Sequence, residues 1–216
     1  MAEQFQLLDV EPFGPRFNIA PTQPVAVVRV SERRDHVTGQ LAWLKWGLVP
    51  SWAKDLSIGN SLINARAESV ADKPAFRAAF RRRRCLVVAD GFYEWQRTGA
   101  KKQPYFIRLR DDRPFGFAGL WESWEGPDHS SLETCTIITT GPNELMEPIH
   151  NRMPVILAPE DYDRWLDPAV QNPEQLASLL RPYPSDAMLA LAVSTHVNNP
   201  RNDDPECIAA PIDPHP

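Results

Sequence analysis

The 216-residue chain is 43% hydrophobic, enough to bury a full core, and we expect a single domain over residues 1–216. It has no apolar run long enough to span a membrane and no secretory signal pattern, so the sequence predicts a soluble, cytoplasmic protein. The net charge of −5 argues against coating duplex DNA through the overall field, which leaves a local basic groove as the alternative.

The cysteine content limits the chemistry further. Cys85, Cys135 and Cys207 are odd in number, far apart and outside any zinc-ligand spacing. We therefore expect no disulfide framework, no metal and no cofactor. Cys85 and Cys135 lie inside apolar runs and Cys207 lies in the tail, so we interpret all three as structural thiols rather than nucleophiles.

The first predicted element is a helix without its beginning. Phe5, Leu7, Leu8 and Val10 recur near helical spacing, yet no Ser, Thr, Asp or Asn precedes them as an N-cap. Two explanations fit this pattern: a loose natural terminus, or a chain start placed too far downstream.

Strands and one short helix are predicted over the rest of the first half. β-branched residues over 25–28 indicate a strand, and a turn at 38–39 leads into a second one. A polar loop over 51–61 precedes a possible strand over 62–69. Two phenylalanines one helical turn apart predict an amphipathic helix over 74–84. We interpret the basic run at its end, Arg81 to Arg84, as a solvated helix terminus.

Four apolar or alternating runs predict antiparallel strands in the centre of the chain. The runs are CLVVADGFYEWQ, QPYFIRLR, FGFAGLWESW and ETCTIITT. Beyond them we expect a helical turn over 141–150, a strand over 153–158, helices over 159–167 and 173–183, and a strand over 186–194. Strands interleaved with short helices predict an α+β fold with a mostly antiparallel, strongly curved, barrel-like sheet.

Polar residues in LINARAES suggest a site or an exposed edge. Asn64, Arg66 and Glu68 alternate with alanines, so on a strand they would share one face. Asparagine is depleted in strands, which favours a site, whereas a polar outer face on an edge strand explains the pattern equally well.

Two further polar positions are candidates for acid/base chemistry. Glu94 lies between Tyr93 and Trp95, where desolvation by aromatic surface would raise its pKa. The alternative is an outward-pointing carboxylate in a hairpin. His150 and Arg152 enter an apolar strand together, which indicates an anion-facing pocket, although a single histidine is more often structural.

Seven stretches in the same order resemble the SOS response-associated peptidase family. They are RFNIAPTQ, WGLVPSWA, LINARAES, ADGFYEW, IITT, IHNRMPVIL and VSTHVNN, so the resemblance runs from about Phe5 to the end. It implies shielding of abasic sites in single-stranded DNA by a covalent crosslink. In that family the initiator Met is removed autocatalytically, and the exposed Cys of a Met-Cys-Gly-Arg start forms a thiazolidine with the deoxyribose aldehyde.

The resemblance also implies roles for individual residues. Glu94 and His150 match the family's acid/base pair, and Asn64 matches the asparagine that orients the reacting groups. Arg66 and Arg152 would hold phosphates. Three further matches, Trp52, Trp95 and Thr139, would line the DNA path.

This sequence departs from the family pattern at its start. It begins Met1-Ala2-Glu3, and no internal cysteine has a free α-amine. We therefore expect a crosslinking-deficient monomer that retains weak affinity for single-stranded DNA and associates with the nucleoid after DNA damage. The alternatives are a peptidase that acts on other proteins and a non-catalytic module that binds single-stranded DNA.

Overall fold

Two β-sheets form most of the fold in this computed structural model, which describes residues 4–5, 7, 13–30 and 39–211. The strands are β1 Pro24–Val30, β2 Gly39–Trp46, β3 Asn64–Arg66, β4 Arg84–Ala89, β5 Phe92–Thr98, β6 Lys101–Leu109, β7 Phe115–Glu125, β8 Ser131–Thr140, β9 Met153–Pro154, β10 Ile156–Leu157 and β11 Met188–Ala192. The fold is mixed α+β and mostly sheet, which confirms the predicted class.

The larger sheet closes on itself through its longest hairpin. Its strand order is β10-β7-β4-β1-β2-β8-β3, and additional pairing between β7 and β8 completes a ring. Pairing around the ring is antiparallel except between β2 and β8, which run parallel. A ring removes the exposed edges along which open sheets associate. The smaller sheet has the order β11-β6-β5 and is antiparallel.

The apolar strands β1 and β4 are buried because each packs on both of its faces. Val27 and Val87 belong to a cluster shared with the smaller sheet. Val28 and Leu86 belong to a second cluster shared with the helices. These strands therefore carry continuous apolar runs instead of an alternating pattern.

Short helices cover the second cluster. They are α1 Arg77–Arg82, α2 Tyr162–Leu166 and α3 Pro173–Ala177. Trp165 of α2 is fully buried, and its indole N–H donates to the Cys85 carbonyl at 2.9 Å. Phe5 stacks on Tyr162 at a centroid distance of 5.4 Å, which ties the start of the described chain to this layer. Of the helices in the described ranges, none has the length and apolar character needed to cross a bilayer.

Several predicted elements have different boundaries in the structure. The run CLVVADGFYEWQ divides into β4 and β5, which lie in different sheets. Gly91 at the division lies so close to β6 that a Cβ there would be 2.9 Å from the Ile107 carbonyl oxygen. The run over 153–158 divides into β9, which pairs with β8, and β10, which pairs with β7.

Two local expectations also differ from the structure. The loop predicted over 51–61 contains a 3₁₀ turn at Leu56–Ser61, capped by Asp55. In the predicted first helix, Leu7 forms a parallel bridge with Gly39. The rest of that prediction, at residues 6 and 8–10, lies outside the described residues, as does residue 38 of the turn predicted at 38–39.

The arginine run is not uniformly solvated, because Arg84 is buried with 3% of its surface exposed. Its guanidinium donates to the carbonyls of Phe80 at 2.9 Å and Arg81 at 2.7 Å, and also to those of Trp165 and Asp167. Burial lowers the pKa of Arg84 to about 10. One side chain thus connects α1, β4 and α2 by satisfying carbonyls at the ends of both helices.

We expect Arg84→Met to lower the free energy of unfolding by roughly 3 kcal/mol, because it leaves several buried carbonyls without a donor. Urea denaturation measures this loss. The matched control is Arg82→Met, since Arg82 is an exposed neighbour in the same run and should change stability by less than about 0.5 kcal/mol. Equal losses in the two variants would contradict the role assigned to Arg84.

Candidate active site

The last residues of β8 pair with different strands from those that pair with its earlier residues. β2 pairs with β8 at Thr134 and Cys135, and β7 pairs with it as far as Ile137. Beyond those pairings, β3 lies parallel to β8 and β9 lies antiparallel to it, so that Thr139 is opposite Arg66 on one side and Pro154 on the other. Two segments that are distant in the sequence therefore meet at Thr139.

The alternation predicted for β3 holds over its three residues. Asn64 and Arg66 are exposed, whereas Ala65 is fully buried against the second cluster. The strand ends at Arg66, so Glu68 lies on the following turn and not on the strand face. The predicted shared face is thus confirmed for Asn64 and Arg66 and was wrong for Glu68.

Arg152 connects this turn to β8. Its two terminal nitrogens form a fork on the Glu68 carboxylate, with Nη1 to Oε1 at 2.7 Å and Nη2 to Oε2 at 3.0 Å. Nη2 also donates to the Thr139 carbonyl at 2.6 Å. These hydrogen bonds hold the pKa of Glu68 below its usual range. The side chain predicted to hold a phosphate is thus paired with a carboxylate in the structure.

Glu94 and His150 come together from different parts of the fold. Glu94 lies on β5 at the edge of the smaller sheet, and His150 lies between two turns, just before β9. His150 Nδ1 is 3.7 Å from Glu94 Oε1, with 44% of the histidine side chain and 24% of the glutamate side chain exposed. Burial raises the pKa of Glu94, and the nearby His150 partly offsets this effect. The pair therefore combines a carboxyl group that protonates readily with an accessible imidazole.

The imidazole is oriented by its own segment. His150 Nδ1 lies 3.1 Å from the Arg152 carbonyl oxygen. The backbone N–H of Arg152 lies 3.3 Å from the same nitrogen, so Nδ1 donates to the carbonyl in one tautomer and accepts from the amide in the other. The same two residues thus connect the acid/base pair to the arginine fork.

Gln96 is a supporting residue that sequence reasoning missed. Its amide donates to the Pro148 carbonyl at 2.9 Å, which fixes the segment carrying His150 against β5. The Tyr105 hydroxyl donates to the other end of the amide at 3.3 Å. Gln96 is two residues from Glu94, and this spacing on one strand face is the signal that could have found it.

One of the two predicted tryptophans lies on the face of β5 away from Glu94, and the other is exposed on a turn. Trp95 follows Glu94 and therefore points to the other face of β5, where its N–H donates to Asn198 Oδ1 at 2.7 Å. Trp52 lies on a turn beyond β2 with 60% of its surface exposed. Their roles as DNA contacts stay predictions.

A hydrogen-bonded clasp supports the opposite face of β5. The Asn18 amide donates to the carbonyls of Val197 at 3.1 Å and Asn202 at 3.0 Å. Asp203 accepts from the backbone N–H of Phe17 at 2.5 Å and of Asn18 at 3.0 Å. The clasp joins the motifs RFNIAPTQ and VSTHVNN, which the sequence alone left far apart.

The clasp also contains three residues with metal-ligand chemistry. The ligand atoms of His196, Asp204 and Cys207 lie within 4.8 Å of one another. His196 Nε2 is already 3.0 Å from Asp204 Oδ2, and the Cys207 thiol donates to the Asn202 carbonyl at 3.4 Å. Hydrogen bonding accounts for each group, and we interpret the cluster as structural.

Comparison with known proteins identifies the family of this chain. The profile of the SOS response associated peptidase (SRAP) family matches residues 1–200. The chain belongs to the SRAP family. The resemblance carried by the seven motifs is thereby confirmed.

Relatives and solved structures agree with this membership. The Abasic site processing protein YoqW of Bacillus subtilis (strain 168) is 48% identical over 210 residues, covering 95% of this SRAP chain and 92% of the relative. The Abasic site processing protein HMCES of Xenopus tropicalis is 33% identical over 231 residues, covering 94% of this chain and 68% of the relative. A crystal structure of a protein from Bacteroides thetaiotaomicron superimposes with a TM-score of 0.80 at 30% identity, covering 88% of this chain and 82% of the other chain.

The cysteines of this SRAP chain are buried in the described structure. Burial raises the pKa of Cys85 well above its ordinary value and that of Cys135 to about 12. Thiols in such environments are poor nucleophiles, because the reactive thiolate is disfavoured. The internal cysteines therefore act as core residues, as the sequence predicted.

We expect Glu94→Gln to raise the melting temperature at neutral pH and to have less effect at acidic pH. The folded state raises the pKa of Glu94, so the folded protein binds this proton more tightly than the unfolded chain does. The resulting stabilisation is present at low pH and is lost as the pH rises through the folded pKa. Glutamine cannot ionise and avoids that loss.

Thermal melts between about pH 4 and pH 7 measure this difference. Glu174→Gln is the control, because Glu174 is exposed on α3 and should show no such trend. A difference that stayed constant with pH for Glu94→Gln would show that the carboxyl group does not ionise differently in the two states.

Proposed function

We propose that this SRAP chain provides the site at which abasic sites in single-stranded DNA are processed, with Glu94 and His150 transferring protons at the sugar aldehyde. The observation that carries the proposal is the 3.7 Å approach of these two groups at the end of the ring that also holds Arg66 and Arg152. The relatives are named abasic site processing proteins, which supports the same conclusion.

The chemistry of an aldehyde suits this pair. An amine adds to the carbonyl carbon, the carbonyl oxygen takes up a proton to give a carbinolamine, and loss of water then gives an imine. Each step moves a proton, and a carboxyl group with a raised pKa donates a proton as well as accepting one more readily than an ordinary carboxylate does. His150 would serve the second transfer, and Asn64 would orient the reacting groups.

Exposed side chains provide anchors for a single strand. Arg66 is exposed beside Thr139, where a backbone phosphate could approach. Trp52 presents an exposed indole on which a base could stack without regard to its identity. Local cations would thus bind DNA although the whole chain has a net charge of −5.

The covalent step requires a group that the internal cysteines do not supply. A thiazolidine forms when a thiol adds to the imine made by the α-amine of the same cysteine. Cys85, Cys135 and Cys207 are buried, and their amines are part of peptide bonds. In the proposed reaction the nucleophile is therefore an N-terminal cysteine of the kind found in Met-Cys-Gly-Arg.

We expect Arg66→Gln to weaken binding of abasic single-stranded DNA and to reduce the slope of log Kd against log salt by about 0.7, the value for one lost phosphate contact. Fluorescence anisotropy over a salt series measures both quantities. The control is Arg164→Gln, since Arg164 is exposed on α2 and should keep the parent slope. An unchanged slope for Arg66→Gln would remove Arg66 from the DNA interface.

We expect the 216-residue polypeptide to give no heat-stable band with abasic single-stranded DNA on a denaturing gel. A matched polypeptide, extended upstream by a segment that begins Met-Cys-Gly-Arg, should give the band. In that extended form Glu94→Gln should slow the crosslink roughly 100-fold, a typical loss for a general acid/base.

Either of two results would count against this mechanism. A heat-stable band from the unextended polypeptide would mean that another group is the nucleophile. Crosslinking by the extended Glu94→Gln variant at the parent rate would show that Glu94 does not transfer the proton.

A further inference from the structure

A carboxylate occupies the anion-binding edge of Arg152. Both terminal nitrogens of the guanidinium bond to Glu68, at 2.7 Å and 3.0 Å. Arginine binds a phosphate through the same planar, two-point geometry that it uses for a carboxylate. Glu68 therefore lies where a backbone phosphate of DNA would bind to this side chain.

The two partners are held to different degrees. Arg152 is fixed by its hydrogen bond to the Thr139 carbonyl at 2.6 Å, and 24% of its side chain is exposed. Glu68 lies on the turn after β3 with 58% of its side chain exposed. A change of rotamer can take the glutamate into solvent, whereas Arg152 would have to leave β8. Glu68 is thus the partner that can yield to an incoming anion.

We propose that Glu68 competes with DNA phosphate for Arg152, and that this competition sets the affinity of the site for single-stranded DNA. The inference rests on the proposed function, since it takes DNA as the incoming anion. Binding requires the fork between Glu68 and Arg152 to open, which lowers affinity for every strand. A DNA strand that lacks the reactive aldehyde then binds weakly, because it makes no favourable interaction with Glu94 and His150 that would offset the free energy needed to open the fork.

A structural role for Glu68 predicts the opposite outcome. If Glu68 served to aim Arg152 at a phosphate, its removal would weaken binding. If it competes, removing its charge strengthens binding. The sign of the change separates the two roles.

The test is binding of a labelled single-stranded oligonucleotide, abasic or intact, to Glu68→Gln at neutral pH. Glutamine has nearly the size of glutamate but carries no negative charge, so it cannot form the charge-assisted pair of hydrogen bonds with Arg152. We expect a gain in affinity of about three- to fivefold, in line with the strength of partly exposed ion pairs. In an Arg152→Gln background the same substitution should give no gain, because the contested cation is absent. Thermal melts check that each variant is folded.

A second fork in the chain provides the matched control. Arg29 binds Glu133 through the same pair of nitrogens, at 2.5 Å and 2.9 Å. Glu133 is on the same strand as Thr139 but about 20 Å away at ~3.3 Å per residue. This separation exceeds the Debye length of about 10 Å at 0.1 M salt, so the charge of Glu133 is largely screened from the site. Glu133→Gln changes the net charge by the same amount and should leave DNA affinity unchanged.

The results separate this inference from the proposed function. Equal or weaker binding by Glu68→Gln, with a parent chain that binds DNA, would overturn the competition and leave the proposed function intact. An equal gain for Glu133→Gln would also overturn it, since net charge would then explain the effect. A parent chain that binds neither oligonucleotide would overturn the proposed function, and this inference with it.

Discussion

The guanidinium of Arg152 connects the parts from which the candidate site is built. It bonds to the Thr139 carbonyl on β8 and to Glu68 on the turn after β3. The backbone carbonyl and N–H of the same residue both lie within hydrogen-bond distance of His150 Nδ1, so the imidazole is positioned by the segment that carries the arginine. A charge-assisted fork of this kind is both strong and directional. The proposed acid/base residues, Glu94 and His150, and the pair of Arg152 and Glu68 are therefore parts of one network.

This network exists because the ring of strands leaves the end of β8 open to new partners. β2 and β7 stop short of Thr139, and β3 and β9 take their places. Strands of two or three residues have little stability alone, and they persist here because each extends an existing sheet. The candidate site thus lies where the closed part of the sheet ends.

The smaller sheet supplies the remaining group from a separate direction. β5 presents Glu94 towards His150 on one face, while Trp95 on the other face bonds to Asn198 in the clasp. Gln96 then ties β5 to the segment before His150. The position of the carboxylate therefore depends on contacts on both faces of an edge strand. A carboxylate on an edge strand can reach solvent and still be partly desolvated by its neighbours. This partial burial raises the pKa of Glu94.

The sequence by itself determined the α+β class, most strands and helices, the buried cysteines and the alternation at Asn64 and Arg66, because these follow from local periodicity and residue type. The motifs also marked Glu94, His150 and Arg152 as candidates. Only the tertiary structure divided the central run at Gly91, buried Arg84, and paired Arg152 with Glu68. Those outcomes depend on which segments meet in space, and spacing along the chain carries no information about contacts between residues 84 positions apart.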